Sequence, residues 1–268
     1  MGVVLATNDD GIGAPGLRAL VEELAREGHE VYVVAPRGPE SGTGKALRFP
    51  AAYGGAHLSH AREAWWVDST PAGAVFAGLR VLLPRRPDVV VSGVNRGPNM
   101  GLEDFFTSGT IGAAVEAALQ GVPGIAVSLA TDAGLEPGDY RVAARLASRL
   151  ASLVAAGGPP RGARVLVLNV PEGTPRGVRV ARMAWNNYRI EVRAEGRSLA
   201  PVRHGYRSRY WDAREGSDVQ AVLSGYASLT PVCLESLASP PPGAAGWAAA
   251  AARELEGALA LGAARPRG

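Results

Sequence analysis

The 268-residue chain contains one cysteine, Cys233, so neither an intrachain disulfide framework nor a cysteine-rich zinc site can be built from it. Lysine is nearly absent: of 28 basic residues only Lys45 is not arginine. With 25 acidic residues the formal charge is +3, too little over this length to argue for a nucleic-acid binder. No run of about 18 apolar residues occurs, and no basic leader with an apolar core opens the chain. The expectation is a soluble, cytoplasmic protein. Internal repeats are lacking, and the one low-complexity patch is the alanine run near Ala248.

What is present is a chain long enough for one large core and an opening stretch that stands out. Val3 to Ala6 is apolar at every position, as in a central strand covered on both faces. It ends in Asp9-Asp10 and a glycine-rich turn, Gly11-x-Gly13-x-x-Gly16, before a helix start at Pro15. Leu17, Leu20, Val21, Leu24 and Ala25 then recur at helical spacing up to Gly28. Glu30 to Ala35 is a second strand, which calls for a right-handed parallel crossover.

Further along, Arg37 to Lys45 is a polar, glycine-rich loop, and residues 46 to 64 are poorly patterned. Trp65 to Val67 is a short strand, and Thr70-Pro71 opens a helix to about Leu83. Val89 to Val91 is a buried strand ending at Ser92-Gly93. A long loop from Val94 to Thr110 feeds a helix over Ile111 to Leu119. Strands over 124–129 and 164–170 bracket a helix over 140–155. This alternation predicts an α/β fold with a doubly wound, mostly parallel sheet (Rossmann-like) in residues 1–175.

The pattern then changes. Residues 178–184, 188–194 and 198–203 read as extended segments around Asn186-Asn187 and Glu195-Gly196 turns, a β-hairpin excursion over 176–214. Residues 219–223 and 227–232 read as strands returning to the core within 215–235. The tail, 236–268, carries Pro240-Pro241-Pro242 and a helix from about 246 to 261.

The glycine pattern admits a dinucleotide reading, with Arg37 suited to the 2′-phosphate of NADP. Against it, Asp9 and Asp10 directly before the glycines repel a pyrophosphate. Two adjacent carboxylates instead suit a hard divalent cation, Mg²⁺, Mn²⁺ or Ca²⁺, with amide and hydroxyl oxygens completing its shell. An isolated Asp-Asp-Gly also serves as a solvated turn. Ser41 and Asn95 follow later strands and so fall on the same sheet edge. Ser108-Gly109-Thr110 stands before a helix, where amides and hydroxyls suit a phosphate or simply cap the helix. Asn95 and Asn99 serve equally as turn formers.

Taken in order, Thr7-Asn-Asp-Asp-Gly11, Ala14-Pro-Gly16, Val34-Ala-Pro36 with Ser41-Gly42, Thr70-Pro-Ala72, Val91-Ser-Gly-Val-Asn95 and Ser108-Gly-Thr110 resemble the stationary-phase survival protein SurE family. The likeness continues more loosely through Asn169-Val-Pro171, Ser217-Asp-Val219 and Gly225-Tyr226. It implies a divalent-metal-dependent nucleotidase acting on nucleoside 5′- and 3′-monophosphates, with polyphosphate as a side substrate. It places one cation per subunit, Mg²⁺ or Mn²⁺, on Asp9, Asp10, Ser41 and Asn95, with Asp9, Asp10 and Asn95 as the catalytic set. Phosphate falls on Asn99, Ser108, Gly109 and Thr110. It also implies a homodimer or homotetramer with exchanged C-terminal elements, a role for the excursion and the last helix.

Two departures stand out. Lys45 occupies a position where the family often has histidine, and Gly73 one where it usually has aspartate, which reads as loosened packing. His29, His57, His60 and His204 read as surface or structural. The segment Arg203 to Trp211 suits a subunit interface better than short-RNA binding, though its arginines and aromatics could stack a base. An NADP-dependent reductase and a non-catalytic nucleotide- or RNA-binding protein are the competing readings.

Overall fold

The computed structural model describes residues 1–131, 140–185, 191–202, 213–239, 244, 246 and 248–253. One compact unit spans Met1–Val232 and a second Cys233–Gly268. Among the described residues no helix is long and apolar enough to cross a membrane.

The first unit is built on strands β1 (Val3–Thr7), β2 (Glu30–Pro36), β3 (Tyr53–Ala56), β4 (Glu63–Val67), β5 (Val89–Arg96), β6 (Gly124–Ala130), β7 (Val165–Pro171), β8 (Val178–Val180) and, after a separate hairpin of β9 (Glu191–Glu195) and β10 (Ser198–Val202), β11 (Ala227–Val232). Nine of them form one sheet in the order β3-β4-β2-β1-β5-β6-β7-β11-β8. The six from β4 to β7 are parallel; β3 runs antiparallel to β4 at one side, and at the other β11 runs antiparallel to β7 and parallel to β8.

Helices cover both faces, as the unbroken apolar strands require. Alternation sorts the strand residues: Val4, Ala6, Val33 and Val91 join Leu17, Leu20 and Leu24 of α1 (Pro15–Arg26) and Ala144, Ala147 and Ala151 of α5 (Arg141–Gly157). Leu5, Val34 and Val90 face Ala74 and Val75 of α2 (Pro71–Ala77) and Ala113 and Ala117 of α4 (Gly109–Leu119). Gly16 allows α1 to reach the sheet, since a Cβ there would lie 2.1 Å from the Val94 carbonyl oxygen.

Three expectations are corrected. Residues 219–223 are not a strand but lie in α6 (Asp218–Leu223), because the Ser217 hydroxyl accepts from the Gln220 N–H at 3.1 Å and caps a helix start. Val219 and Val222 then share one buried face, a spacing that a five-residue apolar run does not reveal. The stretch 94–110 is not all loop: β5 runs to Arg96, and α3 (Gly101–Thr107) follows, begun by Asp104, whose Oδ2 accepts from the Met100 N–H at 2.9 Å. Gly73 marks tight packing rather than loose, for a Cβ there would stand 2.1 Å from Ser69 Oγ.

The hairpin excursion is present as an antiparallel pair turning at Gly196, with β8 shorter than expected. The Asn186-Asn187 turn, the Arg203 to Trp211 segment with His204, and the end of the last helix lie outside the described residues. Residues 244, 246 and 248–253 are helical.

Candidate active site

The topology places a site before any side chain is considered. From β1 the chain moves outward through β2 to β4, then returns to the other side of β1 as β5. The carboxyl ends of β1 and β5 therefore flank the switch point of the sheet, where open α/β sheets bind ligands. Asp9 and Asp10 follow β1; Asn95 stands at the end of β5.

The turn after β1 is closed by Asn8, which is fully buried. Its Oδ1 accepts from the Gly11 N–H at 3.2 Å and its Nδ2 donates to the Gly11 carbonyl at 3.0 Å. Gly11 sits at φ 101, a conformation that favours glycine. The Ile12 and Ala14 N–H groups donate to the carbonyls of Pro36 and Gly11. The Gly11, Ile12 and Ala14 amides of this glycine-rich turn are thus used within the protein rather than offered to a pyrophosphate.

On β5 the register against β6 slips: Ser92 pairs with Ala126, but Asn95 with Ser128. The extra residue is a bulge at Gly93, where a Cβ would meet the Val127 carbonyl oxygen at 2.3 Å. Alternation reverses beyond it. Val94 joins the α1/α5 core, so Asn95 falls toward α4.

Asp9, Ser41, Asn95, Asn99 and Ser108 line one cavity of about 260 Å³. Of the expected residues, Asp10, Gly109 and Thr110 lie outside that lining; Gly109 and Thr110 pack on Asp9, and Asp10 follows it in the chain. Thr110 Oγ1 donates to Asp9 Oδ1 at 2.5 Å, and the Thr110 N–H is also bonded to that carboxyl group. Gly109 lets the start of α4 come close: a Cβ there would stand 3.0 Å from the Asp9 Cβ. The Ser108 hydroxyl caps the helix, accepting from the Ile111 N–H at 3.2 Å. Asn99 is held from behind, its N–H donating to Asn169 Oδ1 at 2.9 Å and its Nδ2 to Ser128 Oγ at 2.8 Å.

Asp9 is 4% exposed. Burial pushes its carboxyl up to about 6, and the charge of Asp10 adds to that, while the Thr110 hydroxyl opposes. Burial likewise raises Asp10, opposed by the N–H and the charge of Arg96. Two carboxylates that disfavour each other's ionisation are what a divalent cation would relieve. Asn95 Nδ2 donates to the Gly97 carbonyl at 2.8 Å, which leaves its Oδ1 as a neutral oxygen donor. Among the described residues no three His, Cys, Asp or Glu side chains gather as a metal cluster. The available set is therefore carboxylate, amide and hydroxyl oxygen, and it fits a hard cation rather than a soft one.

Lys45 does not line the cavity; its Nζ lies 2.5 Å from Glu116 Oε2, a buried carboxylate of α4. Sequence reasoning missed Arg96 and Asp104, which also line the cavity, and Asn169. Asn169 lies near the carboxyl end of β7, beside Ser128 of β6, and its place on the same sheet edge was the available signal.

The family described as Survival protein SurE matches residues 4–190. A 5′-nucleotidase SurE of Anaeromyxobacter dehalogenans is 41% identical over 249 residues, which cover 88% of this chain and 92% of that protein. A 5′-nucleotidase SurE of Archaeoglobus fulgidus is 36% identical, covering 88% and 93%. Among solved structures, the SurE protein from Aquifex aeolicus aligns with a TM-score of 0.70 at 33% identity, covering 87% of this chain and 93% of that one.

Proposed function

The chain belongs to the SurE survival-protein family, and from that premise we propose that it hydrolyses nucleoside 5′- and 3′-monophosphates to nucleoside and inorganic phosphate. The observation that carries this reading is the buried Asp9 carboxyl beside Asp10 at the switch point, in a cavity shared with Asn95, Asn99 and Ser108. Asp9, Asp10, Ser41 and Asn95 would hold a divalent cation, Mg²⁺ or Mn²⁺, which would supply Lewis-acid polarisation of a phosphoryl oxygen and activation of the attacking water.

The chain's own groups do the remaining work. Ser108 keeps its hydroxyl proton free while its oxygen caps α4, so it donates to a phosphate oxygen. The Gly109 N–H, at the first position of α4, has no intrahelical acceptor and faces the same anion. Asn99 offers its second amide hydrogen. Thr110 acts one step back: its two donors hold Asp9 in place and favour its ionised form. The proton of the attacking water passes to the Asp9–Asp10 pair.

The test is phosphate release from nucleoside monophosphates, sugar phosphates and polyphosphate, with Mg²⁺, Mn²⁺ or excess chelator. Release from nucleoside monophosphates that is lost on chelation and in Asp9→Asn is expected. Full activity in either condition would defeat the reading. NADP-dependent reduction, or nucleotide binding without phosphate release, would replace it.

We hold to a cytoplasmic homodimer or homotetramer as part of this reading. Val192 and Leu199 on the hairpin and Val180 on the edge strand are 59%, 77% and 76% exposed, apolar surface of the kind subunits cover. A monomeric mass by light scattering would count against it.

A further inference from the structure

Resting on the phosphomonoesterase reading, we propose that Arg96 is a further catalytic residue: its guanidinium binds the non-bridging oxygens of the transferring phosphoryl group. Three observations place it there. Arg96 lines the cavity shared by Asp9, Asn95 and Ser108, and it is the only cationic side chain among the described lining residues. Its main-chain N–H and its charge both favour the ionised form of Asp10, which puts it beside the carboxylate pair. Its side chain is exposed and makes no hydrogen bond or ion pair among the described residues, while its charge is felt at Asp10.

The charge count gives this placement its meaning. A divalent cation held by Asp9 and Asp10 would be balanced by their two carboxylates. A phosphate monoester dianion then enters a cavity whose remaining acidic lining residue, Asp104, adds nothing to hold it. In the reaction a water oxygen bonds to phosphorus as the bond to the nucleoside oxygen breaks. The electron pair leaves with that oxygen, which takes a proton from solvent, and the water proton goes to the aspartate pair. Charge stays spread over the three non-bridging oxygens throughout. A guanidinium presents a fork of N–H donors matched to two of them, which an ammonium does not. The bulge at Gly93 shifts Asn95 and Arg96 by one register position, and both stand where β5 gives way to the loop that lines the cavity.

A base-stacking role is the competing use of an exposed guanidinium, and substrates without a base separate the two. Arg96→Gln and Arg96→Lys are compared with the wild-type protein, all loaded with Mn²⁺, on adenosine 5′-monophosphate and on p-nitrophenyl phosphate. Inhibition by inorganic phosphate and by orthovanadate is measured alongside, and Mn²⁺ affinity by calorimetry without substrate. Arg96→Gln is expected to lower kcat/KM about 100-fold on both substrates, the size of loss seen when one transition-state donor is removed. It should weaken vanadate more than phosphate and leave Mn²⁺ affinity intact, with Arg96→Lys intermediate.

Unchanged kcat/KM overturns the proposal. So does a loss confined to the nucleotide, which assigns Arg96 to the base, or a loss of Mn²⁺ binding, which assigns it to the metal site. A wild-type protein that releases no phosphate from either ester removes the parent reading and this one together. An active wild type with unaffected variants removes this one alone.

Discussion

Replacing Thr110 with valine keeps a branched side chain in the first turn of α4 and deletes one hydroxyl. That hydroxyl donates to Asp9 Oδ1 at 2.5 Å, where burial already holds the carboxyl at about 6. A hydrogen bond to a charged acceptor contributes about 1.5–3 kcal/mol, and one pKa unit corresponds to about 1.4 kcal/mol. Its loss therefore moves the Asp9 carboxyl up by about one to two units, to about 7.5. At pH 7 the ionised fraction falls from about nine-tenths to about one quarter, and at pH 6 from about one half to about one thirtieth. A cation must displace that proton. Apparent Mn²⁺ affinity should thus drop about fourfold at pH 7 and about 15-fold at pH 6, with the two proteins converging above about pH 9. Calorimetric titration with MnCl₂ at pH 6, 7 and 9 reads this directly, and Thr110→Ser, which restores the hydroxyl, should follow the wild type. Curves for Thr110→Val that run parallel to the wild type at every pH would refute the reasoning, because the loss would then be one of packing.

Other perturbations are as direct. Gly109→Ala puts a Cβ 3.0 Å from Asp9 Cβ and Pro71 Cγ and 3.2 Å from the Glu40 carbonyl oxygen, and displacing Asp9 should lower kcat/KM about 100-fold with the circular dichroism spectrum unchanged; wild-type activity would mean the approach is slack. Asp218→Ala strips the acceptor from the Gly101, Ala184 and Val219 N–H groups and should destabilise by about 3–5 kcal/mol in urea unfolding, with a change under about 1 kcal/mol counting against that clasp. Lys45→Met leaves the buried Glu116 carboxylate without its cation; pairing it with Glu116→Gln should restore much of the lost stability, and additive losses would show that the two do not interact. In chelator, burial raises Asp9, Asp10 and Asp218 alike. The fold favours their neutral forms, so this stabilisation is complete below about pH 4 and is lost as pH rises through about 6, at most about 3 kcal/mol for Asp9. The Tm of the chelated protein should fall between about pH 4 and 6 and recover on adding Mn²⁺; a metal-free Tm that rises across this window would contradict it.

How much of this was legible in the residues depends on the distance over which each cause acts. The buried parallel strands could be read because each carries a run of consecutive apolar or aromatic residues, and α1 because Leu17, Leu20, Val21 and Leu24 repeat at helical spacing. The short elements could not. α6 turns on Ser217 capping a run of six residues, and α3 on Asp104 reaching back to the Met100 amide, both side-chain hydrogen bonds that leave no periodic trace. Asp9, Ser41, Asn95, Asn99 and Ser108 could be grouped because strand-end loops of a parallel sheet share one edge. Arg96 was passed over because a strand-end arginine looks like an ordinary exposed charge, and nothing in the residues around it shows that its end of the strand borders the cavity.

Ser41 shows the same point most sharply, since it is exposed on a glycine-rich loop and nothing in its own neighbourhood in the chain locates it. Its position is set through the backbone on both sides. The Glu40 N–H donates to the Asp9 carbonyl at 2.7 Å, and the Gly44 N–H donates to the Thr107 carbonyl at 2.9 Å. Gly44 and Gly112 exist to let these chains touch: a Cβ on the first would stand 2.5 Å from the Phe106 carbonyl oxygen, and one on the second 2.1 Å from that of Gly44. Lys45 then ties the loop to α4 through Glu116. A residue between two such anchors, one on Asp9 itself and one at the end of α3 just before Ser108, has little freedom to leave the cavity. The glycines matter here as spacers between backbones, and the oxygens they allow to converge carry the chemistry.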